Sequence, residues 1–292
     1  MKLILIHGRA QGGKDAITLR KTWIDTFESG LNKSGLTLPI PKKDIIFPYY
    51  GDLLDKLVDE FNTPVETIIK KGADSNSTDA RFFHDFLQEV ADNSDISLQD
   101  IESEKTLEIT EKGPLNWEWV HSILKAIDKK SSWSEASIKK FTYDVFLYLT
   151  IPAIRQDINK EVNAAFNAES CVVVGHSLGS IVSYNILRET STINACKFIT
   201  IGSPLGINAV KKYLKTPIKM PDSVKNGWFN GYDERDVVAL KPLNKEYFNI
   251  NPSVKNKNDV DNHTSNRHGI EGYLNDKEIA IEIYNALTND CT

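Results

Sequence analysis

The apolar residues of this chain fall into two kinds of run. Short ones lie at 3–6, 45–47 and 171–174, unbroken, and at 197–201 and 228–232, with a weaker one at 247–250. Runs of this length without alternation predict strands buried on both faces of a parallel sheet. Between 51 and 150 the period changes. Leu53, Leu54, Leu57, Val58 and Phe61 recur at helical spacing. So do Phe82, Phe83, Phe86, Leu87 and Val90, and again Trp117, Val120, Ile123, Leu124 and Ile127. Polar, turn-rich stretches at 72–79 and 92–100 separate them. Further helices are predicted from Asp15, over 138–166 with a break at Pro152, and over 279–287.

Strands alternating with helices predict an α/β fold, a mostly parallel sheet with helices on both faces. Residues 1–50 and 151–292 read as its core. Residues 51–150 read as a helical insertion, a cap or flanking subdomain. Trp117 and Trp119 lie two residues apart and cannot share one helix face; Phe82 and Phe83 diverge likewise. At least one of these aromatics is therefore expected to leave the insertion's own packing and line a pocket wall.

The net charge of −5 argues against a nucleic-acid or anionic-membrane surface. Lys211, Lys212 and Lys215 form a short solvated face. Cys171, Cys196 and Cys291 show no metal-ligand spacing and cannot all pair. Cys171 and Cys196 fall in apolar runs and read as small buried hydrophobes, so nothing asks for an oxidising compartment. The apolar run after Lys2 is too short for a signal-peptide core, and no later stretch could span a bilayer, so the chain is expected to be cytoplasmic.

The candidate chemistry centres on Gly175-His-Ser177-Leu-Gly179, a G-x-S-x-G sequence with a buried strand before it and the helical run Ile181, Tyr184, Leu187 after it. A chain this long produces roughly 0.1 such matches by chance, before that context is required. The spacing suits a serine held on a strained turn, because glycine at 175 and 179 removes side chains that would strike neighbouring backbone. A rival motif, Gly8-Arg-Ala-Gln-Gly-Gly13-Lys14, fits most of a phosphate-binding loop and would suggest a nucleotide-binding protein. It ends in Asp15 where a magnesium-holding Ser or Thr belongs, and a carboxylate there repels phosphate.

Taken with His7-Gly8, Thr200-Ile-Gly-Ser-Pro-Leu-Gly206, Asp233-Glu-Arg-Asp236-Val-Val-Ala239 and Arg267-His268-Gly269, the elbow resembles the lipase-like branch of the α/β-hydrolases. The resemblance covers the strand ends but not the insertion, and it implies that the family's antiparallel first hairpin is missing. It implies a triad in the order Ser177, Asp236, His268. A hydroxyl needs a base to take its proton, and the base needs a carboxylate. His263 is the rival base, and Asp233 and Glu234 are rival acids, read as an exposed turn. His7 and His176 read as structural, and His84 and His121 as solvated or packed. The resemblance also implies an oxyanion hole made by the backbone N–H groups of Arg9 and Leu178, with the Arg9 side chain turned to an acidic substrate group or to solvent. The expected activity is hydrolysis of a carboxylic ester, including lipid acyl esters and thioesters, with no metal or organic cofactor. A catalytically silent interaction module is the remaining alternative.

Overall fold

The protein is described from a computed structural model covering residues 1–75, 78–104, 116–239 and 241–291. Six strands form one open sheet: β1 (Lys2–Ile6), β2 (Ile45–Ile46), β3 (Cys171–His176), β4 (Ala195–Ile201), β5 (Trp228–Gly231) and β6 (Lys255–Lys257). Their order is β2-β1-β3-β4-β5-β6, and every pairing is parallel. The helices are α1 (Ala16–Asn32), α2 (Gly51–Phe61), α3 (Val65–Ser75), α4 (Thr78–Asn93), α5 (Leu98–Ser103), α6 (Trp117–Lys130), α7 (Glu135–Thr150), α8 (Pro152–Asn163), α9 (Leu178–Glu189), α10 (Asn208–Lys211), α11 (Ile270–Leu274) and α12 (Lys277–Thr288).

The two-residue period of the strands divides the core. Ile4, Ile6, Cys171 and Val173 point to one face, where they join the apolar side chains of α2 to α9. Leu3, Leu5, Val172 and Val174 point to the other, against Trp23, Ile24, Phe27 and Leu31 of α1 and Ile279 and Ile283 of α12. Residues between 51 and 150 thus share a continuous apolar core with the sheet. From β1 the chain passes to β2 on one side, while β3 lies on the other, so the carboxyl ends of β1 and β3 border a switch point of the kind where open α/β sheets hold ligands.

Several expectations are corrected. The stretch 247–250 is a turn, and the sixth strand is the polar β6, paired with β5 at the sheet edge. The stretch 72–79 is not a loop throughout: α3 runs through Ser75 and α4 starts at Thr78, while residues 76–77 lie outside the described residues. Phe82, Phe83, Phe86, Trp117 and Trp119 are all buried. They find partners on diverging faces because α4 packs against α3, α6, α7 and α10, and α6 against α3, α4, α5 and α7. Helix α7 is buried from Phe141 to Leu149 apart from the half-buried Tyr143, whereas its first turns expose Ala136, Ser137 and Lys140. Finally, Cys196 is not a free hydrophobe: it forms a disulfide with Cys291, tying the tail beyond α12 to β4, while Cys171 stays free and buried. No described helix is long and apolar enough to cross a membrane.

Candidate active site

Ser177 lies between the end of β3 and the start of α9, with φ 58° and ψ −130°. A non-glycine residue there carries about 1–3 kcal/mol of strain, tolerated only where the surroundings fix it. They do. Its N–H donates to the carbonyl of Ile201 at 3.2 Å. A Cβ on Gly179 would collide with the carbonyls of Ile6 and His7, and one on Gly8 would stand 2.7 Å from the Ser177 Cβ. The two glycines let the β1 end and the elbow close on each other.

His268 Nε2 lies 2.8 Å from Ser177 Oγ, and Nδ1 lies 2.6 Å from Asp236 Oδ2. A carboxylate only accepts, so Nδ1 carries the proton and Nε2 is left to accept from the serine hydroxyl. Asp236 is fully buried, and its Oδ1 accepts from the Val238 N–H at 3.3 Å. The three residues expected from the sequence therefore meet in one hydrogen-bonded series. His263 does not join it and is exposed. His84 pairs with Asp85, and His121 with Glu135.

His176 donates from Nε2 to the His268 carbonyl at 2.8 Å and lies 4.9 Å from its ring. Burial holds His176 well below the usual histidine range, so it stays neutral. His7 is likewise lowered, to about 4, by burial. Its Nδ1 donates to the Gly8 carbonyl, Nε2 accepts from the Tyr50 N–H at 3.0 Å, and the two rings stack at 4.1 Å.

Asp233 departs from its expected role as an exposed turn residue. It is buried, and Oδ2 accepts from the Asn262 N–H and from Arg267 Nε, both at 2.9 Å, while Oδ1 accepts from the Arg235 N–H at 2.8 Å. Arg267 has φ 57° and immediately precedes His268. Asp233 thus fixes the loop that carries His268. Glu234 is exposed and accepts from Asn258 Nδ2.

The segment from Gly8 to Lys14 is gripped by the helical region. Gly13 N–H donates to Asp52 Oδ1 at 2.7 Å, and the Tyr49 hydroxyl donates to the Gln11 carbonyl at 2.7 Å. The amide that a phosphate-binding loop would offer to its ligand is thus already taken by a carboxylate. The Arg9 side chain borders the cavity but is turned to a protein partner: Nε donates to Asp144 Oδ2 of α7 at 2.6 Å. Asp144 is fully buried, its Oδ1 has no partner, and burial raises its carboxyl above the usual range against the pull of Arg9.

A cavity of about 260 Å³ opens onto Ser177 and His268. Arg9 and Gln11 form one side, Thr22 and Trp23 of α1 another, and Trp133 and Phe141 a third. The insertion does supply a wall, but from these two residues and not from the aromatics of α4 or the start of α6. Trp133 Nε1 donates to the Asn266 carbonyl at 3.0 Å, and its ring lies 5.3 Å from that of His268. Trp133, Phe141, Asp144 and Tyr273 are not legible as site residues, since no motif surrounds them: Trp133 sits in a polar linker and the other three in helical runs. Among the described residues no group of three or more His, Cys, Asp or Glu is placed to hold a metal ion.

The chain matches no protein-family model, no curated protein and no solved structure.

Proposed function

We propose that this protein is a serine hydrolase of the α/β-hydrolase type, cleaving carboxylic esters with compact acyl groups through an acyl-enzyme on Ser177. The observation that carries this reading is the series Ser177 Oγ to His268 Nε2 at 2.8 Å and His268 Nδ1 to Asp236 at 2.6 Å, built on a serine at positive φ. Strain of that kind, held by two close glycine contacts, is hard to account for in a silent interaction module. A parallel sheet beginning at the strand before His7-Gly8 agrees with a hydrolase that lacks the first hairpin.

In the proposed reaction Ser177 Oγ attacks the ester carbonyl carbon while its proton passes to His268 Nε2. The imidazolium is held by the Asp236 carboxylate, and its proton then goes to the leaving alkoxide as the carbonyl–oxygen bond breaks. A water molecule, giving its proton to His268, cleaves the acyl-enzyme and releases the acid. The oxyanion would be met by the Leu178 N–H, which opens α9 and has no acceptor within the helix, and by the Arg9 N–H beside Gly8. The cavity of about 260 Å³ lies below the range of about 300–1,000 Å³ typical of sites for drug-sized ligands, which favours short acyl groups over long lipid chains.

The test is labelling by a fluorophosphonate probe, mapped to Ser177, beside a p-nitrophenyl ester chain-length series. Labelling lost in Ser177→Ala and turnover highest on the shortest esters support the reading. Labelling that survives Ser177→Ala removes it.

A further inference from the structure

The Asp236 carboxylate has one more partner than the proposed chemistry needs. Tyr273, in α11, donates its hydroxyl to Asp236 Oδ2 at 2.7 Å, the same oxygen that holds His268 Nδ1. The direction of this bond is fixed because a carboxylate only accepts, and the Tyr273 oxygen in turn receives the Asp233 N–H at 3.4 Å. The ring is fully buried, 5.8 Å from His176, and packs on Gly202, whose φ of 55° and missing side chain admit it: a Cβ there would stand 2.9 Å from Tyr273 Cε2. Packing alone would be served by phenylalanine. The hydroxyl instead draws on the negative charge that Asp236 would otherwise present to His268 alone.

We propose that Tyr273 is a positioning residue that acts through Asp236 to set how readily His268 gives up its proton, and so the pH at which Ser177 becomes reactive. This rests on the hydrolase reading above. With Oδ2 shared, less of the carboxylate's charge is left to hold an imidazolium at His268. The phenol is itself held protonated, since burial and the neighbouring Asp236 charge raise it well above the usual tyrosine range. Few other groups compete for the role. Asp233 turns its carboxylate to Arg267 and Arg235, His176 is neutral, Trp133 and Phe141 bring no charge, and Arg9 across the cavity is paired with Asp144.

The experiment is the rate of fluorophosphonate labelling of Ser177 across pH 5 to 9. In Tyr273→Phe the pH of half-maximal labelling should rise by about 0.5–1 unit, the share of a charged hydrogen bond that the imidazolium recovers, with a plateau kept to within a few-fold. Replacing Tyr273 with 3-fluorotyrosine, a more acidic phenol and stronger donor, should move the half-point the other way, and it decides the matter should Tyr273→Phe not fold. A half-point unmoved by both changes, whether or not the plateau drops, overturns the proposal and leaves Tyr273 a packing residue. Absence of labelling in the unaltered protein overturns the hydrolase reading and this inference with it.

Discussion

Replacing Asp144 with asparagine should separate stability from reactivity. Asp144 is isosteric with asparagine, fully buried, and joined to Arg9 through a single bond of 2.6 Å, with Oδ1 unpartnered. A charged hydrogen bond contributes about 1.5–3 kcal/mol, and an unsatisfied buried acceptor costs about 1–3 kcal/mol. These nearly offset each other. An asparagine keeps an acceptor for Arg9 at about half the strength, and it removes the cost of ionising a buried acid. The Arg9 side chain keeps some access to the cavity, so losing the charged partner does not strand it. The expected change in unfolding free energy at pH 7 is therefore within about 1 kcal/mol, well short of the about 3–5 kcal/mol for breaking an enclosed ion pair.

Reactivity should respond differently. Losing an oxyanion donor outright costs about 10²–10³ in rate, so loosening the segment that carries the Arg9 N–H should slow labelling of Ser177 by about ten-fold. The pH dependence gives a second check. Because the folded state raises the Asp144 carboxyl, folding favours its protonated form. The contribution of this residue is fully present below the unfolded value of about 4 and lost as pH rises through the raised folded one. The parent should thus gain stability relative to Asp144→Asn as pH falls towards 4, measured by urea unfolding at several pH values. A loss of 3 kcal/mol or more at pH 7, or a difference independent of pH, would refute this account of the pair.

Other outcomes follow from the same geometry. His268→Ala and Asp236→Asn should each lower ester turnover by about three orders of magnitude with little change in melting temperature, whereas inactivity of His263→Ala would move the base elsewhere. Asp233→Asn should cost about 2–4 kcal/mol, because a buried acceptor of Arg267 loses its charge, and should slow labelling; an unchanged rate would mean that the His268 loop holds its shape without it. Phe141→Leu should cost about 1–2 kcal/mol and move the best p-nitrophenyl ester to a longer acyl chain, and an unchanged preference would place the acyl group away from that wall.

What the sequence made legible was whatever depends on neighbours along the chain. The runs at 3–6 and 171–174 announced buried strands because a two-sided sheet demands unbroken apolar residues. Ser177 stood out because its turn needs glycine at fixed offsets. What stayed hidden depends on neighbours in space. Asp233 read as an exposed turn because four charged residues in a row, Asp233, Glu234, Arg235 and Asp236, look solvated; its burial arises only when Arg267 and Asn262 fold over it. The aromatics of α4 seemed impossible to bury together because one amphipathic face was assumed, whereas α3, α6, α7 and α10 pack against it. Asp144 lies mid-helix in an apolar run and gives no sign of its partner 135 residues earlier. Cys291, separated from Cys196 by 95 residues, is silent for the same reason.

The helical region between 51 and 150 behaves in this structure as a clamp and not as a detachable cover. The segment after β1 and the loop that carries His268, both at the carboxyl edge of the sheet, touch it. Asp52 and Asp144 grip the segment carrying Gly8 and Arg9, from α2 and α7 respectively. Tyr50, at the entrance to α2, stacks on His7 and donates its N–H to His7 Nε2. Trp133, between α6 and α7, holds the Asn266 carbonyl and flanks the His268 ring. A cover that swung away would release all of these at once and would expose the continuous core that α2 to α9 share with Ile4, Ile6 and Val173. The physical cost of such an opening scales with that apolar area, so access to Ser177 is best sought through the existing cavity, which Gln11, Thr22 and Asn266 help to line. For the proposed hydrolase, a cavity held in this way would select substrates by fit, in keeping with the short acyl groups proposed for it.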